Sequence, residues 1–370
     1  MSQADENNIT GRGIRRFSNI LIPVLAVGTA LLLGAILIQL SGASAWDAYV
    51  GLFEGMLGSG RAVSETLVAS TPFILLGLGV ALGFRCGLFN IGAEGQFFMG
   101  ALFSAVAGFG FQGLPAVIHL PLALGFGLIG GAMWGAIPGW LKARFGAHEV
   151  INTIMLNYAA VALVDYLVKN VFRDSSASLD RTPFVASSAE LPRLMGPDYR
   201  LHSGIILALV LSILLYWFLK HTRKGFEIRT VGLNPEAARY AGMNPGRLTV
   251  ITMSLSGGLA GLAGSVEVLG LNHNLPAAFS SGYGFDAIAV ALLARSNPLG
   301  VIPAALLWGG LRNGAGLMQI RSGISLDMIN VIQALVLVFI AADPVIRFLY
   351  RLKPGDRHST IFSRTWSGQK

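Results

Sequence analysis

Charged residues are scarce in this chain. Only 12% of its 370 residues are Asp, Glu, Lys or Arg, and 53% are hydrophobic. Soluble domains carry about 25% charged residues. The composition therefore excludes an ordinary soluble domain and is typical of a protein that lies mostly in lipid. Glycine is abundant, at 47 residues, as expected where helices pack closely in a membrane.

Two further absences narrow the possible functions. The single cysteine, Cys86, excludes an internal disulfide and a cysteine-based zinc site. No Gly-Lys dipeptide occurs, so the chain lacks a Walker A loop and cannot bind ATP by that route. We therefore expect no metal or cofactor on this chain and no enzymatic activity, and energy for transport must come from a partner protein or an ion gradient.

The net charge of +8 could indicate a nucleic-acid surface, but the placement of the basic residues argues against it. They gather in short polar stretches between long apolar runs. That arrangement is typical of the loops of a membrane protein.

Ten apolar runs predict an all-α, polytopic membrane protein. The first run, Ser18–Leu40, contains no charged residue and is long enough to cross a hydrocarbon core of about 30 Å. Gly284–Ala294 is too short to cross alone, so it predicts a half-helix or a re-entrant element, and eight to ten spans are expected. The remaining runs are Ala62–Phe84, Leu88–Phe109, Pro121–Trp140, Val150–Val168, Ser203–Leu219, Leu248–Gly270, Leu299–Met318 and Leu326–Ala342.

The positions of the basic residues predict the topology. With ten crossings, 19 of the 27 Lys and Arg residues lie on the cytoplasmic side, in agreement with the positive-inside rule. The tails, residues 1–17 and 345–370, are then cytoplasmic and flank a transmembrane domain of residues 18–344. A cleaved signal peptide is the alternative for the first run, because Ala43-Ser44-Ala45 resembles a cleavage site, although the run is longer than a usual signal.

Two loops differ in character. Residues 170–202 form a polar, charge-balanced extracytoplasmic loop that could dock an external partner. The cytoplasmic loop 220–247 contains a short predicted helix, in which Asn234 caps, Pro235 begins and Gly242 ends the helix. So short a helix is unstable alone in water, which favours docking onto a partner over a free loop. The alternative is an interfacial helix that lies on lipid.

Four glycines recur at every fourth position of one apolar run: Gly127, Gly131, Gly135 and Gly139. Gly125-x-Gly127-x-x-Gly130 also matches a dinucleotide-binding fingerprint, but that motif needs a strand before the helix. The spacing instead predicts a smooth helix face for close packing.

The segment from Arg85 to Gln96 interrupts two apolar runs with glycines and polar side chains. Non-helical backbone at membrane depth must be buried in protein or line a cavity, and transporters place such breaks beside the substrate route. We therefore predict that Phe89, Asn90, Glu94 and Gln96 line or gate a translocation pathway. The alternative is a plain cytoplasmic turn in which Glu94 pairs with Arg85.

A second polar face lies on the following helix. Glu149, Thr153 and Asn157 are spaced by four residues and share one side of it. Polar groups within a span usually face the interior of the bundle. Thr153 and Asn157 are therefore further candidates for the pathway, with hydrogen bonding between helices as the alternative.

These motifs resemble a known family. The segments that carry the resemblance are Gly87–Gln96, His148–Tyr158, Asn234–Gly242 and Gly284–Leu293. The chain resembles bacterial ABC importer permeases of the branched-chain amino acid, ribose and simple-sugar family. Gly87–Gln96 is similar to the branch that takes up nucleosides, chiefly purine nucleosides.

The resemblance implies a type II-like permease fold in two weakly similar halves, placed in the bacterial inner membrane. It also implies an ATPase subunit that uses ATP, an extracytoplasmic substrate-binding protein, and a second, shorter permease or a second copy of this chain. The coupling contacts with the ATPase would be Asn234, Glu236, Arg239 and Tyr240. A sugar permease is the main alternative in substrate, and an ion-coupled secondary transporter is the alternative in mechanism.

Overall fold

The computed structural model describes residue 21 and residues 24–277, 279, 282–325, 327–341 and 343–351. Their regular structure is helical, which confirms the all-α class. The predicted N-terminal tail and the chain beyond residue 351 lie outside the described residues.

The helices follow one another with short connections, except between the sixth and seventh. They are α1 (Val24–Leu40), α2 (Ala45–Leu57), α3 (Gly60–Arg85), α4 (Ala93–Gly110), α5 (Ala116–Phe145), α6 (Glu149–Tyr166), α7 (Gly204–His221), α8 (Arg223–Leu233), α9 (Pro235–Tyr240), α10 (Pro245–Glu267), α11 (Tyr283–Leu293), α12 (Pro298–Ser322), α13 (Asp327–Ala341) and α14 (Asp343–Leu349). Helices α6 and α10 continue into π-helical turns at Leu167–Val171 and Val268–Asn272.

Several of these helices can cross a membrane. Among the described residues, five are long and apolar enough, namely α3, α5, α6 with its π turn, α7 and α10 with its π turn. Helices α1, α11 and α13 are apolar but shorter. The chain is therefore a polytopic membrane protein. Helix α11 has 11 residues, too few to cross alone, and whether it is a half-helix or a re-entrant element stays a prediction.

Three helices, α2, α8 and α14, were not predicted from the sequence, and α2 and α8 have side-chain caps. Helix α2 is capped by Ser44, whose hydroxyl accepts a hydrogen bond from Asp47 N at 3.2 Å. Helix α8 is capped in the same way by Thr222, which accepts from Gly225 N at 3.0 Å. Both were missed because neither forms a long apolar run: α2 contains two carboxylates and α8 is largely polar.

The chain forms two compact units, and Ser59–Gly310 is the larger. Within it, the predicted glycine face of α5 packs directly against α10. A Cβ atom added to Gly131 would lie 2.2 Å from the carbonyl oxygen of Gly257 and 2.7 Å from Cα of Gly261. The same α10 backbone meets α4, because a Cβ on Gly100 would lie 2.1 Å from Cα of Gly261. The prediction of a packing face is confirmed.

The second unit joins the two ends of the chain, Met1–Gly58 and Leu311–Lys370. Here α2 packs on the end of α12, where a Cβ on Gly55 would lie 2.8 Å from Cα of Gly314. Asn313 Nδ2 donates a hydrogen bond to the carbonyl oxygen of Gly55 at 2.9 Å. The hydroxyls of Thr29 and Tyr350 lie 2.9 Å apart and tie α1 to the residue that follows α14.

The long connection between α6 and α7 is held by backbone hydrogen bonds. Thr182 N donates to Leu275 O at 3.0 Å and Val185 N donates to His273 O at 2.8 Å. Ala277 N donates to Asp180 O at 2.9 Å. This loop therefore lies along the segment that follows α10, and the two would have to move together.

Candidate functional site

The glycine-rich break is a real interruption between two helices. Helix α3 ends at Arg85 and α4 begins at Ala93, so residues 86–92 are non-helical. The helix begins later than the apolar run Leu88–Phe109 because Asn90 competes for the backbone: its Oδ1 accepts from Gly92 N at 2.9 Å. Arg85 Nε donates to the carbonyl oxygen of Ser296 at 2.8 Å.

Asn90 lies at the centre of a buried amide network. Its Nδ2 donates to Gln96 Oε1 and to Ser256 Oγ, both at 2.9 Å. Gln96 Nε2 returns a bond to Asn90 Oδ1 at 3.2 Å, and Ser256 Oγ donates to Gly79 O at 2.7 Å. Three helices, α3, α4 and α10, are thereby joined at the break.

The polar face of α6 meets the same break. Asn157 Oδ1 accepts from Gly95 N at 2.8 Å, and its Nδ2 donates to Ile91 O at 2.9 Å. Thr153 is buried beside Gly92, where an added Cβ would lie 3.0 Å from the Cβ of Thr153. The structure thus brings Thr153 and Asn157 to the break, on the shared face that their spacing predicts.

Glu94 joins the first turns of two helices. Its Oε2 accepts a hydrogen bond from Gly284 N, in α11, at 2.5 Å. The first turns of α4 and α11 approach so closely that a Cβ on Gly284 would lie 2.2 Å from Glu94 N. A carboxylate at two helix N-termini is electrostatically favourable. The Glu94 side chain therefore ties α4 to α11.

Phe89 is placed differently from the other candidates. It is half-buried and packs on Phe84, with ring centroids 5.1 Å apart, whereas Asn90, Glu94 and Gln96 are buried. The amides of Asn90 and Asn157 bond within the chain, so they fix the conformation of the break. A role of the six candidates in the pathway stays a prediction.

Ser256 is a network member that sequence reasoning missed. The stretch Leu255-Ser256-Gly257-Gly258 indicates close packing, and Gly257 does pack on α5. The Ser256 hydroxyl instead bonds within the network at the break, where it accepts from Asn90 and donates to the carbonyl oxygen of Gly79. A hydroxyl within a glycine-rich, apolar helix was the available signal, since polar groups inside spans rarely face lipid.

The predicted cytoplasmic helix is present as α9. Asn234 caps it, since its Oδ1 accepts from Glu236 N at 3.0 Å and Ala237 N at 3.1 Å. Arg239 Nη1 lies 3.3 Å from Glu236 Oε2 in an exposed ion pair. The side chain of Tyr240 is 93% exposed. Helix α9 thus presents a ring and a charge pair that contribute little to the fold.

Helix α8 connects α9 to the break. A Cβ on Gly232 would lie 2.2 Å from the carbonyl oxygen of Arg85, and one on Gly87 would lie 3.3 Å from Cα of Gly232. Because of these backbone contacts at Gly232, a force on α9 can reach the break through packed main chain.

Near the start of α8, the hydrogen bond from Lys224 holds the pKa of the Glu227 carboxyl below its usual range.

Comparison with known proteins decides the family. Residues 62–341 match the family described as "Branched-chain amino acid transport system / permease component". The chain belongs to this family. The match covers the break, the α6 face, α8 and α9, so the elements described above are those of an ABC transporter permease.

Three relatives of this permease are similar over most of its length. The "Guanosine ABC transporter permease protein NupP" of Bacillus subtilis is 43% identical over 91% of this chain and 97% of its own. The "Nucleoside ABC transporter permease protein NupB" of Lactococcus lactis is 35% identical over 89% and 93% of the two chains. The "Glucose ABC transporter permease protein TsgB13" of Haloferax volcanii is 35% identical over 86% of each.

Proposed function

We propose that this permease forms the translocation pathway of an ATP-driven importer for nucleosides. The observation that carries the proposal is the 43% identity, over 91% of the chain, to a permease named for guanosine. A simple-sugar permease is the second candidate, because a relative named for glucose is 35% identical. An ion-coupled transporter is disfavoured, since the family works within ABC systems.

The substrate is tested by reconstitution of the complete importer in proteoliposomes with ATP inside. We expect uptake of labelled guanosine that excess unlabelled inosine suppresses and excess ribose or glucose does not. An aromatic base and a ribose together are then required for recognition. Uptake of glucose or ribose without uptake of guanosine would replace the nucleoside proposal by the sugar alternative.

The proposed importer contains several partners. An ATPase subunit docks on α8 and α9 and uses the ATP, while this chain binds no cofactor. A second, shorter permease, or a second copy of this chain, completes the pore. An extracytoplasmic binding protein delivers the substrate at the loop of residues 170–202. The exposed Tyr240 and the contact of α8 with the break support the placement of the ATPase.

The proposed orientation places both termini in the cytoplasm of a bacterium, with the protein in the inner membrane. Cysteines introduced at Ser187 and Ala241, both exposed, should then react from opposite sides in a Cys86→Ser background. A membrane-impermeant maleimide added to intact spheroplasts should label position 187 only, and permeabilised cells should label both. Labelling of both positions in intact spheroplasts would refute this orientation.

We further propose that the break and its network gate the substrate route, with Phe89, Asn90, Glu94, Gln96, Thr153 and Asn157 as its residues. Asn90 is buried, so Asn90→Cys in the Cys86→Ser background should be inert to a small thiol reagent at rest and reactive during ATP-driven turnover. Ser104→Cys is the matched control, since Ser104 is equally buried on α4. A thiol at position 90 that stays inert in every state, with uptake intact, would contradict the gate.

A further inference from the structure

Five aromatic rings gather in the larger unit where α3, α4 and the start of α11 meet. Phe97 stacks on Phe279, with centroids 5.2 Å apart and ring planes at 13°, and on Tyr283 at 5.7 Å. Phe98 meets the edge of Phe279 at 6.0 Å, and Phe73 lies 5.2 Å from Tyr283. Tyr283 and Phe279 are thus the two rings through which this aromatic cluster meets the segment before α11.

The aromatic cluster lies deep in the membrane-spanning part. Phe73 stands half-way along α3, which spans Gly60–Arg85. At about 1.5 Å per residue it lies roughly 20 Å from either end of that helix. Because α3 is long and apolar enough to cross the bilayer, we expect the cluster near the bilayer centre.

The segment that carries Phe279 is not helical, although it reaches that depth. Its described residues, 273–277, 279 and 282, lie between the π turn after α10 and the start of α11. Ala277 N is tied to Asp180 O in the outer loop, and Gly284 N is tied to Glu94. Non-helical backbone at this depth must be buried in protein or line a water-filled cavity. The two rings are therefore held between two anchored points on an irregular segment.

Exposure and space distinguish this cluster from an ordinary core. Phe97 and Phe73 are fully buried, whereas Phe279 and Tyr283 are half-buried. A cavity of about 230 Å³ adjoins the cluster at Phe98, and Pro276 and Ala277 also line it. It is smaller than the roughly 300–1,000 Å³ of a typical ligand pocket, so it suits one part of a nucleoside while the rest contacts the rings. The wall on the α6 side consists of Val161, Val164, Asp165 and Val168.

We propose that Phe279 and Tyr283, backed by Phe97, form a stacking site for the nucleobase on the substrate route. A planar heterocycle stacks on aromatic side chains whatever its hydrogen-bonding edge, which suits a pathway that must pass several bases. Phe97 covers one side of both rings, and the base stacks on the part of each half-buried ring that remains exposed. The inference rests on the proposed transport of nucleosides.

The test uses the complete importer in proteoliposomes, with labelled guanosine and labelled uridine. Phe279→Leu should lower guanosine uptake roughly tenfold, at the low end of the cost of losing one base–aromatic stack. Uridine uptake should fall less, because a pyrimidine stacks over a smaller area. Phe279→Tyr keeps the ring and should retain uptake within about twofold of the parent. Phe111→Leu disrupts another ring pair, with Phe126, and serves as the matched control that leaves uptake unchanged.

A second measurement keeps the proposal testable if Phe279→Leu fails to assemble. Phe279→Cys in the Cys86→Ser background should react more slowly with maleimide when guanosine is present, while ribose should not protect. Uptake by Phe279→Leu equal to the parent, or equal losses in the Leu and Tyr variants, would overturn the stacking site alone. Absence of nucleoside uptake by the parent importer would instead overturn the proposed function, and the stacking site with it.

Discussion

Replacement of Tyr240 by alanine is expected to abolish uptake while leaving the fold intact. The ring is 93% exposed at the end of α9, so its removal costs the permease little packing. An exposed aromatic ring on a capped, short helix is the type of side chain that anchors a protein–protein interface. Loss of an interface anchor costs about 2 kcal/mol or more, and roughly a thirtyfold weaker association separates permease from ATPase.

The measurement is ATP-driven uptake together with co-purification of the ATPase. Tyr158→Ala is the matched control: it makes the same change at another exposed tyrosine, on α6, and should leave co-purification unchanged. Glu236→Lys should act like Tyr240→Ala, because it reverses the charge in the first turn of α9 and breaks the ion pair with Arg239. Normal uptake in both α9 variants would show that the ATPase docks elsewhere.

The second large effect concerns the glycine contact between α5 and α10. Gly131→Ala should destabilise the permease by about 3 kcal/mol, the upper end of the usual cost of overpacking. The new methyl group would meet the backbone of Gly257 and Gly261, at 2.2 Å and 2.7 Å, and a backbone cannot rotate away as a side chain can. To make room for the methyl group, α5 and α10 would have to move apart.

Gly125 offers a control on the same helix. No atom lies within 4 Å of a Cβ placed there, so Gly125→Ala should be neutral or gain up to about 1 kcal/mol from helix propensity. Thermal unfolding of both variants in one detergent compares them directly, with Gly131→Ala expected to melt well below the parent. Equal melting temperatures for the two variants would contradict close packing at Gly131.

The gating proposal and the stacking site belong to one arrangement. Helix α8 reaches the break at Gly232, and the break reaches α11 through the bond between Glu94 and Gly284. Helix α11 begins at Tyr283, one of the two stacking rings. If the ATPase docks on α9 as proposed, a movement imposed there has a continuous packed route to the site proposed for the base.

Much of the fold was determined by the sequence alone, because its signals are local. Apolar runs of sufficient length predicted the spans, and glycines at every fourth residue predicted the packing face of α5. The order Asn-Pro-Glu at residues 234–236 predicted the start of α9, since capping depends on neighbouring residues only. The position of the break followed from glycines and amides placed within an apolar region.

The tertiary structure decided what depends on distant partners. Helices α2 and α8 lack a long apolar run, so packing against other parts of the chain stabilises them. The sequence placed Glu94 in the break, but its contact with Gly284 joins residues 190 positions apart and follows only from how α4 and α11 approach. The hydrogen bonds of Ser256 and the contacts within the aromatic cluster likewise join residues far apart in the sequence. Side chains that meet across a bundle are set by helix packing, which no local pattern of residues records.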